Sequence, residues 1–493
     1  MRLLRSIALA TLIAPAARAQ QQTPATPGAR ATLTLEEALS IARRNNPAYL
    51  QVANNRRDAE AQVRAADAAL LPSVNSQFST EYSQGGTQVF QGAQLGANSS
   101  YVSSSYQLGM RYDVNGATLL NRGAARATRE AVEADITGST EQLRAVVTQQ
   151  YLAVLQAQAT AAVQDTLVAT ARGQLELARA RTAVGAGTTL DIRRAEVALG
   201  QAEVAALTAR NNVDIQKLQL FQQLGVEMPR DVQLVTQFPV QQPTFSLDSL
   251  LDLARRTNPN LEATRAREHA ANVNVRARRS AYTPTLSVQT GWGGQSFEYR
   301  DPNFVVQSAQ ENFEGQFASC MTTDSIRTAV GLAPRGCGKF VFTPQIAQEL
   351  RDRNNTFPFE FQRSPFGVSA TLSLPIFDRW NRELAIQQAV TQRDDARQAR
   401  RARELQTTSD VTQAYLNLVT AARTVTLQEQ NAIRAREELA FAEERYRVGV
   451  ATFLDVTTSR ATYEQAEVAR VNAVYEYHRA FAALENAVGR PLR

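Results

Sequence analysis

Histidine and cysteine are almost missing from this chain: two of each stand among 493 residues. A site needing several imidazole or thiolate ligands cannot be assembled from so few, and neither Cys320 nor Cys337 has a histidine nearby in sequence. No Gly-x-x-x-x-Gly-Lys-Ser/Thr loop and no His-Glu-x-x-His occurs, so the sequence marks neither a P-loop nor a helix-borne zinc hydrolase. Val184-Gly185-Ala186-Gly187 is a glycine cluster without the phosphate-binding lysine. His269 and His478 lie in charged or aromatic helical stretches and suit surface or packing positions. With no nucleophile–base constellation, the chain is expected to be neither an enzyme nor a carrier of metal or cofactor. Aromatics make up only 7% of residues, lean for several compact cores, and glycine and proline are scarce over long stretches. Ala, Leu, Gln, Glu and Arg dominate instead, a composition that favours long helices. Beyond residue 19 no run of 18 apolar residues appears, so no membrane-spanning helix is available.

The first 19 residues have the layout of a secretory signal. Arg2 and Arg5 begin it, residues 7–14 form a short apolar core, and Ala17-Arg18-Ala19 offers a small-residue cleavage site. Removing the segment takes away Arg2, Arg5 and Arg18, and the formal charge falls from +6 to +3. That balance implies no nucleic-acid partner. The clusters Arg276-Arg278-Arg279 and Arg397-Arg400-Arg401-Arg403 are interleaved with alanine and acids and read as solvated helix faces.

What is present in abundance is repetition. Thr32-Leu33-Thr34-Leu35, Asn46-Pro47, Val63-Arg64-Ala65 and Pro72 recur as Thr244-Phe245-Ser246-Leu247, Asn258-Pro259, Val275-Arg276-Ala277 and Pro284, always 212 positions on. Tyr151-Leu152, Val184-Gly185, Leu190-Asp191 and Gln201-Ala202-Glu203-Val204 recur as Tyr415-Leu416, Val448-Gly449, Leu454-Asp455 and Gln465-Ala466-Glu467-Val468, 264 positions on. The second half therefore carries 52 extra residues after Pro284. The division expected is a signal at 1–19, a linker at 20–31, a first repeat at 32–229, a linker at 230–243 and a second repeat at 244–493.

Each repeat has one order: a helix, two strands, a very long helix, a glycine turn and a last helix. The first helix is expected over 35–71, opened by the capping pattern Thr34-Leu35-Glu36-Glu37, with a twin over 247–283. The long helices span roughly 117–182 and 381–447, and at 1.5 Å per residue each would reach about 100 Å. Val147, Tyr151 and Leu155, with twins Val411, Tyr415 and Val419, have the 3–4 spacing of helix-on-helix packing.

Four segments alternate with period two. Val74, Phe78 and Tyr82 oppose Asn75, Gln77 and Glu81; Tyr106, Leu108, Met110 and Tyr112 oppose Gln107, Gly109, Arg111 and Asp113. Leu286, Val288 and Trp292 oppose Ser287, Gln289 and Gly291; Phe366, Val368, Leu372 and Leu374 oppose Gly367, Ser369, Thr371 and Ser373. Such segments fit transmembrane β-barrel strands, and equally a half-buried soluble sheet. Four strands cannot close a barrel in lipid without unpaired edges, so the membrane alternative requires several chains to share one barrel. Loops are expected at about 83–104 and 293–365, the second extracellular and holding the 52-residue excess. Cys320 and Cys337 within it suit a disulfide in an oxidising compartment, free thiols being the alternative.

The duplicated order, with Leu35-Glu36-Glu37-Ala38-Leu39 and Asn46-Pro47, Leu374-Pro375-Ile376-Phe377, and Tyr446-Arg447-Val448-Gly449 followed by Leu454-Asp455-Val456, resembles the TolC family of outer-membrane efflux proteins. The resemblance implies a mostly α fold with a small transmembrane β part. Each chain would give four strands to a shared β-barrel and long periplasmic hairpins to an α-barrel. It implies a homotrimer in outer-membrane lipid, with a periplasmic adaptor and an inner-membrane pump as partners. The function implied is a passive export conduit of a tripartite efflux pump or a type I secretion system. A soluble periplasmic coiled-coil adaptor is the alternative, explaining long helices but not duplicated lipid-type strands. Gly185 and Gly449 would turn the chain at the periplasmic tips, where Asp191 and Asp455 fit capping boxes and also a ring of carboxylates. By resemblance Asp455 matches a constriction acid, and Tyr446 with Asp191 match residues linking neighbouring tips in the closed state. The sequence departs from that pattern at Ala451 and Thr458, which hold neither the arginine nor the second aspartate of the best-known pattern.

Overall fold

The computed structural model describes residues 31–90, 93–229, 232–236, 238–240 and 244–492. The signal expected at 1–19, nearly all of the first linker and parts of the second lie outside the described residues. In chain order the elements are β1 (Ala31–Leu33), α1 (Leu35–Asn45), α2 (Pro47–Ala68), β2 (Ser73–Ser83), β3 (Gly86–Phe90), β4 (Ala93–Asn98), β5 (Tyr101–Val114), α3 (Gly116–Ala183), α4 (Thr189–Leu224) and β6 (Val232–Leu234). The second half continues with α5 (Leu247–Thr257), α6 (Pro259–Arg279), β7 (Thr285–Tyr299), α7 (Pro302–Ala329), α8 (Pro344–Arg353), β8 (Gln362–Arg363), β9 (Gly367–Ser373), α9 (Asn381–Arg447) and α10 (Phe453–Val488). The two long helices, α3 and α9, run unbroken for 68 and 67 residues. No described helix is long and apolar enough to cross a membrane.

Three sequence expectations need correction. The single helix expected over 35–71, and its twin over 247–283, are each broken at the asparagine before proline. Asn46 sits at φ −64°, ψ 118° and Asn258 at φ −68°, ψ 115°. Proline Cδ pushes the preceding residue out of the helical region, so the chain steps sideways there although its apolar spacing continues. The loop expected at 83–104 is largely paired: β3 and β4 form a hairpin and β5 begins at Tyr101. The loop expected at 293–365 starts later, because β7 continues to Tyr299, and it carries α7 and α8.

Each break is a clamp. In the first half Asn46 Nδ2 donates to Gln223 O (2.7 Å), while its Oδ1 accepts from Tyr49 N (2.9 Å). In the second half Asn258 Nδ2 donates to Ala487 O (2.8 Å), while Oδ1 accepts from Leu261 N (3.0 Å). The carbonyls so bound are unpaired ends of α4 and α10, which intrahelical bonding cannot satisfy. Gly225 (φ 73°) and Gly489 (φ 88°) end those helices and let the two backbones touch. A Cβ on Gly225 would stand 2.4 Å from Asn45 O, and one on Gly489 2.5 Å from Pro259 Cδ.

The chain forms two compact units, and neither is a sequence repeat. One comprises the described residues up to Leu50 with Gln142–Phe245 and Ala414–Asn486; the other comprises Gln51–Glu141, Ser246–Gln413 and Ala487 onward. In the first, β1 and β6 pair in parallel over a core of Val147, Tyr151, Val154, Leu155, Leu220 and Leu224. Tyr151 is fully buried and donates its hydroxyl to Leu33 O at 2.8 Å. The 3–4 spacing on α3 is thus a core stripe. On α9 only Val411 of its twin is fully buried.

The second unit holds an antiparallel sheet in the order β2-β5-β7, with β8 and β9 both on the far edge of β7. Its register puts Phe78 opposite Tyr106, Val74 opposite Met110, Leu108 opposite Trp292, Val114 opposite Leu286 and Leu286 opposite Leu372. The four alternating patterns read from sequence therefore share one apolar face. Asn75, Gln77, Gln107, Gly109, Gln289, Gly291, Ser369 and Thr371 share the other. β2 and β9 end the sheet with open edges.

Candidate functional site

Two places in the fold carry functional geometry, the glycine turns in the first unit and the two-faced sheet in the second. At the first turn Gly185 takes φ 74°, and Ala186 N and Gly185 N bond back to Arg181 O (2.8 Å) and Thr182 O (3.1 Å). Gly449 repeats this at φ 87°, with Val450 N on Arg445 O (3.0 Å) and Gly449 N on Tyr446 O (3.1 Å). Left-handed glycine closes both helices without the Cβ penalty.

The next helix starts at once. Asp191 accepts from Thr188 N (3.1 Å) while its own N–H donates to Thr188 Oγ1 (3.2 Å). Asp455 does the same with Thr452, at 2.8 Å and 3.4 Å. Both acids are capping acids, which fixes their carboxylates at the turns. Bonds from the Thr452 backbone, then from its hydroxyl, hold the Asp455 carboxyl below the usual carboxylate range.

The structure brings the two turns together. Tyr446 is only 4% exposed, in a cluster with Leu175, Ala178, Ala195, Leu439, Phe453 and Val456. The Arg181 guanidinium lies 4.3 Å from its ring centre and Phe453 packs edge-on at 5.6 Å. Arg181 also donates to Ala186 O (2.8 Å), so one side chain ties the first turn to the second. The Tyr446 hydroxyl has no hydrogen-bond partner within the described chain, and Asp191 is engaged with its own cap. Burial, then the Asp191 charge, pushes the Tyr446 hydroxyl's pKa up, which keeps it a donor. Arg181 escapes a sequence reading because its partner lies in the other repeat. Its place, four residues before Gly185 as Arg445 is before Gly449, was the available signal.

On the sheet, side chains along the apolar face are open to the surroundings: Val74 66%, Val368 62% and Leu372 70% exposed. Phe361 meets Tyr106 at 4.8 Å and Phe78 at 6.4 Å across Gly294, which has no side chain to separate them. Trp292 meets Phe366 at 5.3 Å. At the same end Ser104 Oγ donates to Pro358 O (2.5 Å) and Phe304 of α7 packs on Tyr299 (5.1 Å), so the insert covers that end of the sheet on both faces. Within the insert the Cys320 and Cys337 sulfurs are 2.09 Å apart, a bonded separation. The buried Asp324 beside them accepts from Arg335 N (2.8 Å) and Gly336 N (3.0 Å) and, with a disulfide as neighbour, has the donor set of a loop staple rather than a metal site.

At the other end β9 bends into α9 through residues 374–380. Arg379 (φ 60°) and Trp380 (φ 66°) are successive non-glycine residues in the left-handed region, at a cost of roughly 1–2 kcal/mol each. Arg382 holds the bend: it donates to Asp378 Oδ2 (2.9 Å) and Pro375 O (2.8 Å) and stacks at 4.6 Å on Tyr282, whose hydroxyl donates to Glu383 (2.7 Å). Sequence reasoning passed over Arg382, since nothing local distinguishes it from the many helix-surface arginines.

Comparison with known proteins agrees with this geometry. The pyoverdine export outer membrane protein OpmQ of Pseudomonas putida is 24% identical over 485 residues, covering 92% of this chain and 85% of that protein. A crystallised membrane protein from Pseudomonas aeruginosa superposes with TM-score 0.67 at 22% identity, over 92% of this chain and 93% of that one. The Campylobacter jejuni CmeC outer membrane channel gives TM-score 0.68 at 15% identity, over 92% and 85%. The sequence profile described as outer membrane efflux protein matches residues 38–226 and 353–490, leaving out the second linker, α5, α6, β7 and most of the insert. With two matched blocks covering most of its length, this chain belongs to the outer membrane efflux protein family.

Proposed function

We propose that this chain is one subunit of a passive export conduit in the outer membrane, in which three copies complete a shared barrel. The observation that carries the reading is the open-edged antiparallel sheet with one face apolar across all four main strands. Exposed apolar side chains in a row are unfavourable in water and favourable in hydrocarbon. Open edges in hydrocarbon must be paired, and neighbouring copies pair them. The polar face, with its glycines, serines and amides, then lines water. OpmQ is by name an export protein and CmeC a channel, which supports the same use here. An adaptor and an energised inner-membrane pump are the partners such a conduit needs, the sequence having no P-loop of its own. Tyr446 belongs to this reading as a donor whose acceptor is on the adjoining protomer, Asp191 being the matching acid.

Extraction separates this from the adaptor alternative. The conduit leaves membranes only with detergent, whereas release by salt alone contradicts it. Conductance of the reconstituted protein tests the turns. Each copy would bring Asp455 to one ring, so Asp455→Ala is expected to lower cation preference at neutral pH. Because its pKa is depressed, the carboxylate and its capping contribution persist as pH falls through the ordinary Asp range near about 3.9, and are lost only below it. Cation selectivity of the parent is therefore expected to hold at pH 5. Unchanged selectivity in Asp455→Ala removes the ring role and leaves capping alone.

A further inference from the structure

A bend that needs left-handed backbone at two successive positions is the natural place for two glycines. This chain has Arg379 and Trp380 there instead, held in place by Arg382. Both side chains gained, Arg379 and Trp380, are exposed. Trp380 is 70% exposed, Phe377 71% and Ile376 91%, and the two rings meet edge to face at 6.4 Å. They lie at the end of the apolar face, after Leu372 and Leu374, which are exposed as well. The acids of the bend, Asp378 and Glu383, are engaged by Arg382 and Tyr282. Arg278 and Arg279 end α6, joined to this bend through Tyr282, Arg382 and Glu383. Arg278, Arg279 and Arg379 are exposed and have no ion-pair partner among the described residues, while the nearby Asp378 is taken by Arg382.

We infer that residues 376–380, with Arg278 and Arg279, form a docking surface for anionic phospholipid headgroups at the end of the sheet where the helices begin. Trp380 and Phe377 enter the headgroup–acyl boundary, where amphipathic rings are favoured, and the guanidiniums meet lipid phosphates just outside it. The surface fixes the depth of the sheet in the bilayer. The inference rests on the apolar face meeting lipid, and the chain provides a control for that premise, since its only tryptophans are Trp292, on the apolar face, and Trp380.

The experiment uses full-length protein with Trp292→Phe or Trp380→Phe, reconstituted in phosphatidylethanolamine–phosphatidylglycerol vesicles carrying bromine at shallow or deep acyl positions. Trp380 is expected to fluoresce to the blue of its value in water and to be quenched roughly twofold more by shallow than by deep bromines. Trp292 is expected to be quenched as well. Quenching of Trp292 without Trp380 overturns the inference and leaves the conduit reading standing; quenching of neither overturns both. A blue-shifted, unquenched Trp380 places it against a second copy of the chain and also overturns the inference. Should Trp292→Phe fail to assemble, the difference between parent and Trp380→Phe reports Trp380 alone. For the arginines, brominated phosphatidylglycerol is expected to quench Trp380 about twofold more than brominated phosphatidylethanolamine, and R278Q/R279Q/R379G to abolish that preference. No preference in the parent overturns the choice of anionic lipid.

Discussion

A single methyl group added at Gly225 or at Gly489 is expected to destabilise the folded chain by about 2–4 kcal/mol, combining left-handed strain with backbone collision. The collision at Gly225 is with main chain, Asn45 O at 2.4 Å, and at Gly489 with the fixed Pro259 ring (Cδ at 2.5 Å) and the Asn258 Cα at 2.8 Å, so no rotamer change relieves it. The asparagines facing these glycines should matter nearly as much. Asn46→Ala or Asn258→Ala leaves a helix-end carbonyl and a helix-start N–H unpaired in a buried setting, costing about 1–3 kcal/mol. Denaturant unfolding in detergent, followed by circular dichroism, measures both. Gly185→Ala provides the comparison: it has the same sign of φ, but its Cβ would meet nothing within 4 Å. Left-handed strain alone then applies, and a loss equal to that of Gly225→Ala would refute the clamp.

The second large effect concerns the faces of the sheet. Leu108→Arg is expected to cost about 2–4 kcal/mol per subunit and to abolish stable assembly, as a charge on a lipid face near mid-membrane does. Gln107→Arg, one residue earlier on the polar face between Gln77 and Gly293, is expected to change stability by no more than ~0.5 kcal/mol. Yield of heat-resistant oligomer from the membrane fraction reads the difference. In a soluble sheet with its apolar face buried, both substitutions could hurt, but Leu108→Arg would then damage folding in buffer as well as in lipid.

Much of this fold is legible because it is periodic and doubled. The 3–4 spacing of α3 and the alternation of β2, β5, β7 and β9 each place residues on a face without any knowledge of neighbours. The repeat tells that whatever the first half does the second does too, and the paired clamps at Asn46 and Asn258 are that statement in atoms. What escaped is non-local or against type. Helical spacing continues through Asn46-Pro47, so only the steric effect of proline marks the break. Arg181 and Tyr446 meet across the two repeats, and no window of sequence contains both. Arg379 and Trp380 adopt a conformation that sequence normally announces with glycine, and here the signal is absent because other side chains occupy the position. The helices of the insert replace an expected loop, since a 52-residue excess has room for structure of its own.

Spin labels placed singly along residues 286–290 of β7 in vesicles would test most directly whether this sheet is part of a membrane wall. Labels at 286, 288 and 290 should be reached by oxygen from the lipid, and those at 287 and 289 by a water-soluble nickel reagent, so that access alternates residue by residue. Uniform access along the strand, or oxygen access confined to the odd positions, would contradict it.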